Sequence, residues 1–120
     1  MTRSVSRIAS FAHALRGVGV LLRQPNARIH AAAAVLVTSA GLVLKIDTSQ
    51  WLAVVLAMVL VISAEALNTA LELVVDLASP EWHALARDAK DVAAAAVLVC
   101  SAGAVVVGAL VFGPALLKLL

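Results

Sequence analysis

The chain has 120 residues, 63% of them hydrophobic and 13% charged, with a formal net charge of +2. Globular chains are usually about half apolar and a quarter charged. A chain of this length has no core large enough to hide so much apolar surface, which excludes an ordinary soluble domain and points to a bilayer. With 3% aromatic residues, no tyrosine and no RNA-binding motif, its basic residues do not suggest a nucleic-acid surface.

In residues 4–23, Ile8, Phe11, Leu15, Val18 and Leu22 recur at steps of three and four, while His13, Arg16 and Arg23 fall elsewhere. This predicts an amphipathic helix lying in the membrane interface, weakened by Gly17 and Gly19 and ended by Pro25. Pro25 suits the first turn of a following helix. A first span is expected over 27–46, near the length of about 20 residues a bilayer demands. Lys45, Asp47, Thr48, Ser49 and Gln50 read as a short polar turn. A second span is expected over 51–77, then a polar loop over 78–91 with a short helix started by Ser79 and Pro80, then a third span over 92–112 ended by Gly113 and Pro114. The fold class expected is all-α membrane protein, with three spans plus the interfacial helix in a single domain. The small-residue runs 31–34 and 93–96 suit close helix approach in lipid, and three spans enclose little alone, so a homo-oligomer is expected.

Arg3, Arg7, Arg16, Arg23 and Arg28 all precede the first apolar run, too long a basic leader for a cleaved signal peptide. Basic flanks favour the cytoplasmic side, so the N-terminus and the 78–91 loop are expected inside and the 47–50 turn outside. Trp51 and Trp82 then fall near opposite faces, where indoles prefer to sit. The single cysteine, Cys100, reads as a packing residue.

The apolar second span ends in "EALNTALELVVD", residues 65–76. At about 100° per residue, Glu65, Asn68, Thr69, Glu72 and Asp76 share one face of a helix. Glu65 lies 14 residues past Trp51, about 21 Å along the axis and inside the hydrocarbon zone. Charges there cost several kcal/mol unless paired or wet. Polar residues joining helices would explain Asn68 and Thr69; three acids on one stripe call for something positive among them, a metal ion, Lys90 or an N-terminal arginine. Oxygen-rich carboxylates suit magnesium better than zinc. His13, His30 and His83 form no zinc pattern, and each reads as a surface or interface residue. Lys90 and Asp91 enter the third span level with Glu72 and Asp76, either as a salt bridge or to hold a polyphosphate through its metal. No phosphate-binding GxxxxGK[ST] loop, protein-kinase set, GxSxG or HExxH occurs.

Residues 65–76 resemble the signature of the prokaryotic diacylglycerol kinase family, E-x-[LIVM]-N-[ST]-[SA]-[LIV]-E-x-x-V-D, at every specified position. "AKDVAAAAVLV" (89–99), "SPEWH" (79–83) and "NARIH" (26–30) resemble further family segments, so the likeness covers about residues 7–112. The resemblance implies a homotrimeric inner-membrane kinase that transfers the γ-phosphate of ATP, with Mg2+, to a lipid alcohol, diacylglycerol or undecaprenol; "NTALE" and "RIH" are more similar to the undecaprenol kinases. It implies Glu65 as general base, Asn68 and Thr69 as polar active-site residues, and Glu72 as a magnesium and ATP ligand. It places Glu81, Trp82, His83, Lys90 and Asp91 in the nucleotide-contacting region, with Arg7, on a looser alignment, as an N-terminal nucleotide contact. One position departs from the pattern. The family's metal-binding glutamate four residues before the arginine of "RIH" is here Gln24, whose amide brings an oxygen without charge. Two other readings stand beside the kinase: a catalytically impaired relative acting as a membrane binding protein, and a small proton-coupled transporter. A transporter would keep its acid near mid-bilayer; here the acids gather toward one side.

Overall fold

The computed structural model describes residues 6–120, and they form four α-helices, α1 (Arg7–Leu21), α2 (Pro25–Leu44), α3 (Thr48–Ala78) and α4 (Ala84–Leu117), with no strand among them. The last three are long and apolar enough to cross a membrane. Helix α3 packs chiefly along α4, less extensively on α2, and touches α1.

Ser6 caps α1, its hydroxyl accepting from the Ala9 N–H at 3.2 Å. The stripe Ile8, Phe11, Leu15, Val18 and Leu22 is left exposed by the chain itself, as a face resting on lipid would be. The Gln24 N–H bonds to the Leu21 carbonyl at 3.0 Å, Gln24 is extended, and Pro25 opens α2. Proline has no N–H to leave unpaired in a first turn.

At 20 residues, α2 is about 30 Å long, the thickness of a hydrocarbon core. It closes on Lys45, which takes a left-handed conformation (φ 53°) and donates its N–H to the Gly41 carbonyl. The expected 47–50 turn is shorter than its composition suggests. Asp47 caps α3, accepting from the Gln50 N–H at 2.9 Å, while the Gln50 side chain accepts from the Asp47 N–H at 2.9 Å. This reciprocal box satisfies two donors at the helix start, so Thr48 is already helical. The expected short helix after Pro80 is instead the first turns of α4, which starts at Ala84 with the His83 Nδ1 accepting from the Leu85 N–H at 3.1 Å. The far end also differs, because α4 continues through Pro114 to Leu117.

The apolar core lies at the end remote from the 79–83 connection. Ile46, Val54 and Val111 are buried there, with Trp51, Met58, Val107 and Phe112 packed against them. The Trp51 ring, at the start of α3, closes over Gly41. A Cβ built on Gly41 would meet the Trp51 Cη2 at 2.7 Å and the Ile46 Cδ1 at 3.1 Å. Overpacking of this kind costs about 1–3 kcal/mol. Gly41→Val is therefore expected to lower the thermal unfolding midpoint in detergent, whereas Gly103→Val, with nothing within 4 Å of its Cβ position, is expected to leave it unchanged.

Candidate functional site

The polar stripe on α3 forms the buried polar part of the structure. Glu65 is 3% exposed, Asn68 7% and Thr69 4%. Leu67, Leu73 and Val74, on the other faces of the same helix, are exposed. The sequence therefore turns its polar face inward and its apolar face outward, the inverse of a soluble helix and the expected arrangement in lipid.

Glu65 faces α2. Its Oε2 lies 3.8 Å from the His30 Nε2, too far for a hydrogen bond but close enough for a charged pair if the imidazole is protonated. Glu65 Oε2, Asn68 Oδ1 and Thr69 Oγ1 are buried without a hydrogen-bond partner. Leaving such a group unsatisfied costs about 1–3 kcal/mol, and three on one stretch of helix mark a place shaped for something else. The other end of the Asn68 amide is committed, its Nδ2 donating to the Glu72 Oε1 at 3.2 Å. Asn68 thus orients the half-buried Glu72 carboxylate and still presents a free carbonyl oxygen.

One turn further on, the stripe reaches water. Asp76 pairs with Lys90 of α4, so Lys90 is the positive group that answers the outermost acid. The two are partly exposed, and such pairs contribute little stability, at most about 1 kcal/mol. They form one wall of a cleft of about 300 Å³ that also includes Glu81, Trp82, His83, Arg87 and Asp91. Ser79 shapes the connection by donating its hydroxyl to the Glu81 carbonyl at 3.0 Å. The Arg87 guanidinium lies 5.9 Å from the Trp82 ring centroid, within the range of a cation–π contact, and it also reaches Asp88 at 3.0 Å. An indole, a guanidinium, an ammonium and an imidazole on one rim suit a flat base and an anionic tail.

The structure thus gathers the sequence-predicted residues into two neighbouring groups, Glu65, Asn68, Thr69 and Glu72 on the stripe, and Glu81, Trp82, His83, Lys90 and Asp91 around the cleft. Arg7 and Gln24 join neither by a side-chain bond. Arg7 is exposed at the start of α1, and the half-buried Gln24 has no side-chain cap bond and none to Glu72. His30, expected as a surface or interface residue, is instead the partner facing Glu65. Arg87 and Asp76 also belong to the cleft without having been singled out for it. The signal for Arg87 is its place in "EWHALARDAK", five residues after Trp82 in the first turn of α4; His30 carries no such signal, because its partner is set only once α2 is laid against α3.

Among the described residues, no group of three or more His, Cys, Asp or Glu side chains converges to hold a metal by itself. Magnesium does not need one. It commonly keeps one or two protein carboxylates and takes its other oxygens from phosphate and water. Glu72, with the orphaned Asn68 Oδ1 beside it on the same helix, is an all-oxygen donor set of that kind.

A buried carboxylate on α3 leads along one helix face to a cation-rimmed cleft at the end of three apolar helices, an arrangement suited to phosphoryl transfer at a membrane boundary. The family model for prokaryotic diacylglycerol kinase matches residues 12–112. The chain is 40% identical over 108 residues to the undecaprenol kinase of Bacillus subtilis, covering 89% of this chain and 88% of that one. It is 41% identical over 115 residues to a diacylglycerol kinase of Synechocystis sp., covering 94% of this chain and 66% of that one. The chain belongs to the prokaryotic diacylglycerol kinase family and is a multi-pass membrane lipid kinase.

Proposed function

We propose that the chain transfers the γ-phosphate of ATP to the hydroxyl of a membrane lipid alcohol, undecaprenol or diacylglycerol, at the cytoplasmic boundary of the inner membrane. The observation that carries this reading is the vertical order of the stripe. A buried carboxylate, Glu65, lies about 10 Å below Glu72 and about 16 Å below Asp76 along one helix face. The lipid hydroxyl comes from the headgroup plane and ATP from water, and this face meets both. The relatives' names support both lipids, and the likeness of "NTALE" and "RIH" to the undecaprenol kinases favours undecaprenol.

In the proposed reaction the lipid oxygen attacks the γ-phosphorus, its proton passes to Glu65, and ADP leaves as the bond to the β-phosphate oxygen breaks. Glu65, buried on the polar stripe, is placed to accept that proton away from water. Glu72, held by Asn68, and the Asn68 carbonyl oxygen would hold Mg2+, which would supply positive charge to offset that of the phosphates. Thr69 offers the stripe a further hydroxyl. Trp82 supplies a stacking face for the base, and Lys90, Arg87 and His83 supply donors for phosphate oxygens, with Glu81 and Asp91 at the rim. Arg7 is proposed to approach the nucleotide from α1. The single domain is proposed to assemble as a homotrimer, on the family resemblance, with its N-terminus cytoplasmic, as the arginines that precede the first span favour. Gln24 is proposed as an uncharged oxygen near the metal, in place of the usual glutamate.

The test is release of ADP by the purified protein in mixed micelles. It is expected to require both Mg2+ and an added lipid alcohol. ADP release independent of lipid, or none with either lipid, would contradict the reading.

A further inference from the structure

His30 has no role in the reaction as derived so far, yet it is the group that faces the buried acid. Three observations meet there. The Glu65 Oε2 is buried and without a hydrogen-bond partner. The His30 Nε2 stands 3.8 Å away, with its side chain 22% exposed against 4% for Glu65. The same imidazole lines one wall of an apolar cavity of about 360 Å³, bounded by Ala33 and Ala34 of α2, Val61 of α3, and Ala104 and Gly108 of α4.

A gap of 3.8 Å is too wide for the two side chains to satisfy each other and too narrow to be indifferent. An oxygen placed ~2.8 Å from both would see them at an angle of ~85°, workable for a hydroxyl that accepts from one and donates to the other. The two partners have the matching polarity. An imidazole with its proton on Nε2 donates, and a carboxylate only accepts. Below them, a lining that is apolar apart from the Ser101 hydroxyl leaves room for a hydrocarbon chain.

We propose that His30 is a substrate-positioning residue: its Nε2–H holds the oxygen of the lipid alcohol so that the hydroxyl proton points at the Glu65 Oε2, while the first part of the lipid chain occupies the cavity beneath. The inference rests on the lipid-kinase reading and deepens it, because it selects acceptors with a free hydroxyl at the end of a flexible apolar chain. Held in this way, the oxygen keeps its remaining lone pair for phosphorus, and its proton goes to Glu65 as the new P–O bond forms. His30 gives up no proton; its share is orientation, for which a misplacement of about 1 Å can cost about 10²-fold in rate.

The test has two readouts on the full-length protein. The first is turnover. His30→Phe keeps an aromatic ring and removes the donor. It is expected to lower kcat with lipid about 10²-fold while leaving the KM for ATP and the thermal midpoint unchanged. His30→Gln, which restores an N–H donor, is expected to recover most of the loss. A purely structural contact between α2 and α3 would instead show as a shifted midpoint, and the Gln variant would not rescue.

The second readout does not need activity. In protein labelled with 15N in its histidine rings, adding dioctanoylglycerol or a short polyprenol is expected to move the His30 signals and leave those of His13 and His83 in place. The matched hydrocarbon without a hydroxyl should leave all three unmoved. Unmoved His30 signals, or full kcat in His30→Phe, would overturn the proposal even in an active kinase. If the His30 signals move but the wild-type protein labels no lipid, the kinase reading fails and the alcohol-binding site stands.

Discussion

Glu65→Gln is expected to abolish phosphate transfer, by about 10³-fold in turnover, while the protein folds and binds nucleotide as before. General-base catalysis contributes about 10²- to 10⁴-fold, and a factor of 10³ corresponds to about 4 kcal/mol of barrier. The substitution is close to isosteric. It replaces a carboxylate that is 3% exposed by a neutral amide, and a neutral group is the less costly one to bury in an apolar setting. Lost stability therefore does not account for lost activity, and a thermal midpoint equal to or above the wild-type value is the control. An amide cannot take up the lipid proton, so a residual rate near the wild-type value would remove Glu65 from the role of base.

The second large effect is expected at Glu72. Glu72→Gln preserves the oxygen that accepts from the Asn68 Nδ2 at 3.2 Å, so the local arrangement survives and only the charge is lost. Removal of one preorganised electrostatic partner of a reacting group costs about 10²- to 10³-fold. The loss is expected to appear with a raised Mg2+ requirement and a raised KM for ATP, and with no change in the KM for lipid. Asp76→Asn is the informative companion. Asp76 is partly exposed and already paired with Lys90, and an exposed pair contributes at most about 1 kcal/mol. A smaller effect at Asp76 than at Glu72 would place the charge that matters one turn deeper than the cleft rim; equal effects would argue that the stripe acts only through its total charge.

The spans and the stripe were legible in the chain itself for a physical reason. Hydrocarbon thickness sets span length, and the helical repeat brings Glu65, Asn68, Thr69, Glu72 and Asp76 to one face whatever the neighbours do. Helix limits were less legible because single side chains decide them. The Asp47–Gln50 box carries α3 into a polar segment, and the His83 cap carries α4 back into the expected loop. The position of Trp51 near a boundary is legible from span length alone; the space above Gly41, which takes its ring, depends on how α2 and α3 meet. The pairings across helices were the least legible of all. Asp76 with Lys90 was one of three open choices for the counter-charge, and His30 opposite Glu65 belongs to the packing of two separate spans. The same distinction applies to Gln24 and Arg7, which the family pattern brings to the site and which make no side-chain bond to it here.

The proposed reaction moves phosphate from ATP to a lipid hydroxyl. It is tested most directly by following ATP labelled at the γ-phosphate into the lipid phase, with purified protein in mixed micelles containing equal amounts of undecaprenol and diacylglycerol. Label is expected in a lipid monophosphate, in undecaprenol ahead of diacylglycerol, and is expected to be absent when Mg2+ is chelated or Glu65→Gln replaces the wild type. Label that stays in water as inorganic phosphate, or that reaches lipid equally with Glu65→Gln, would contradict it.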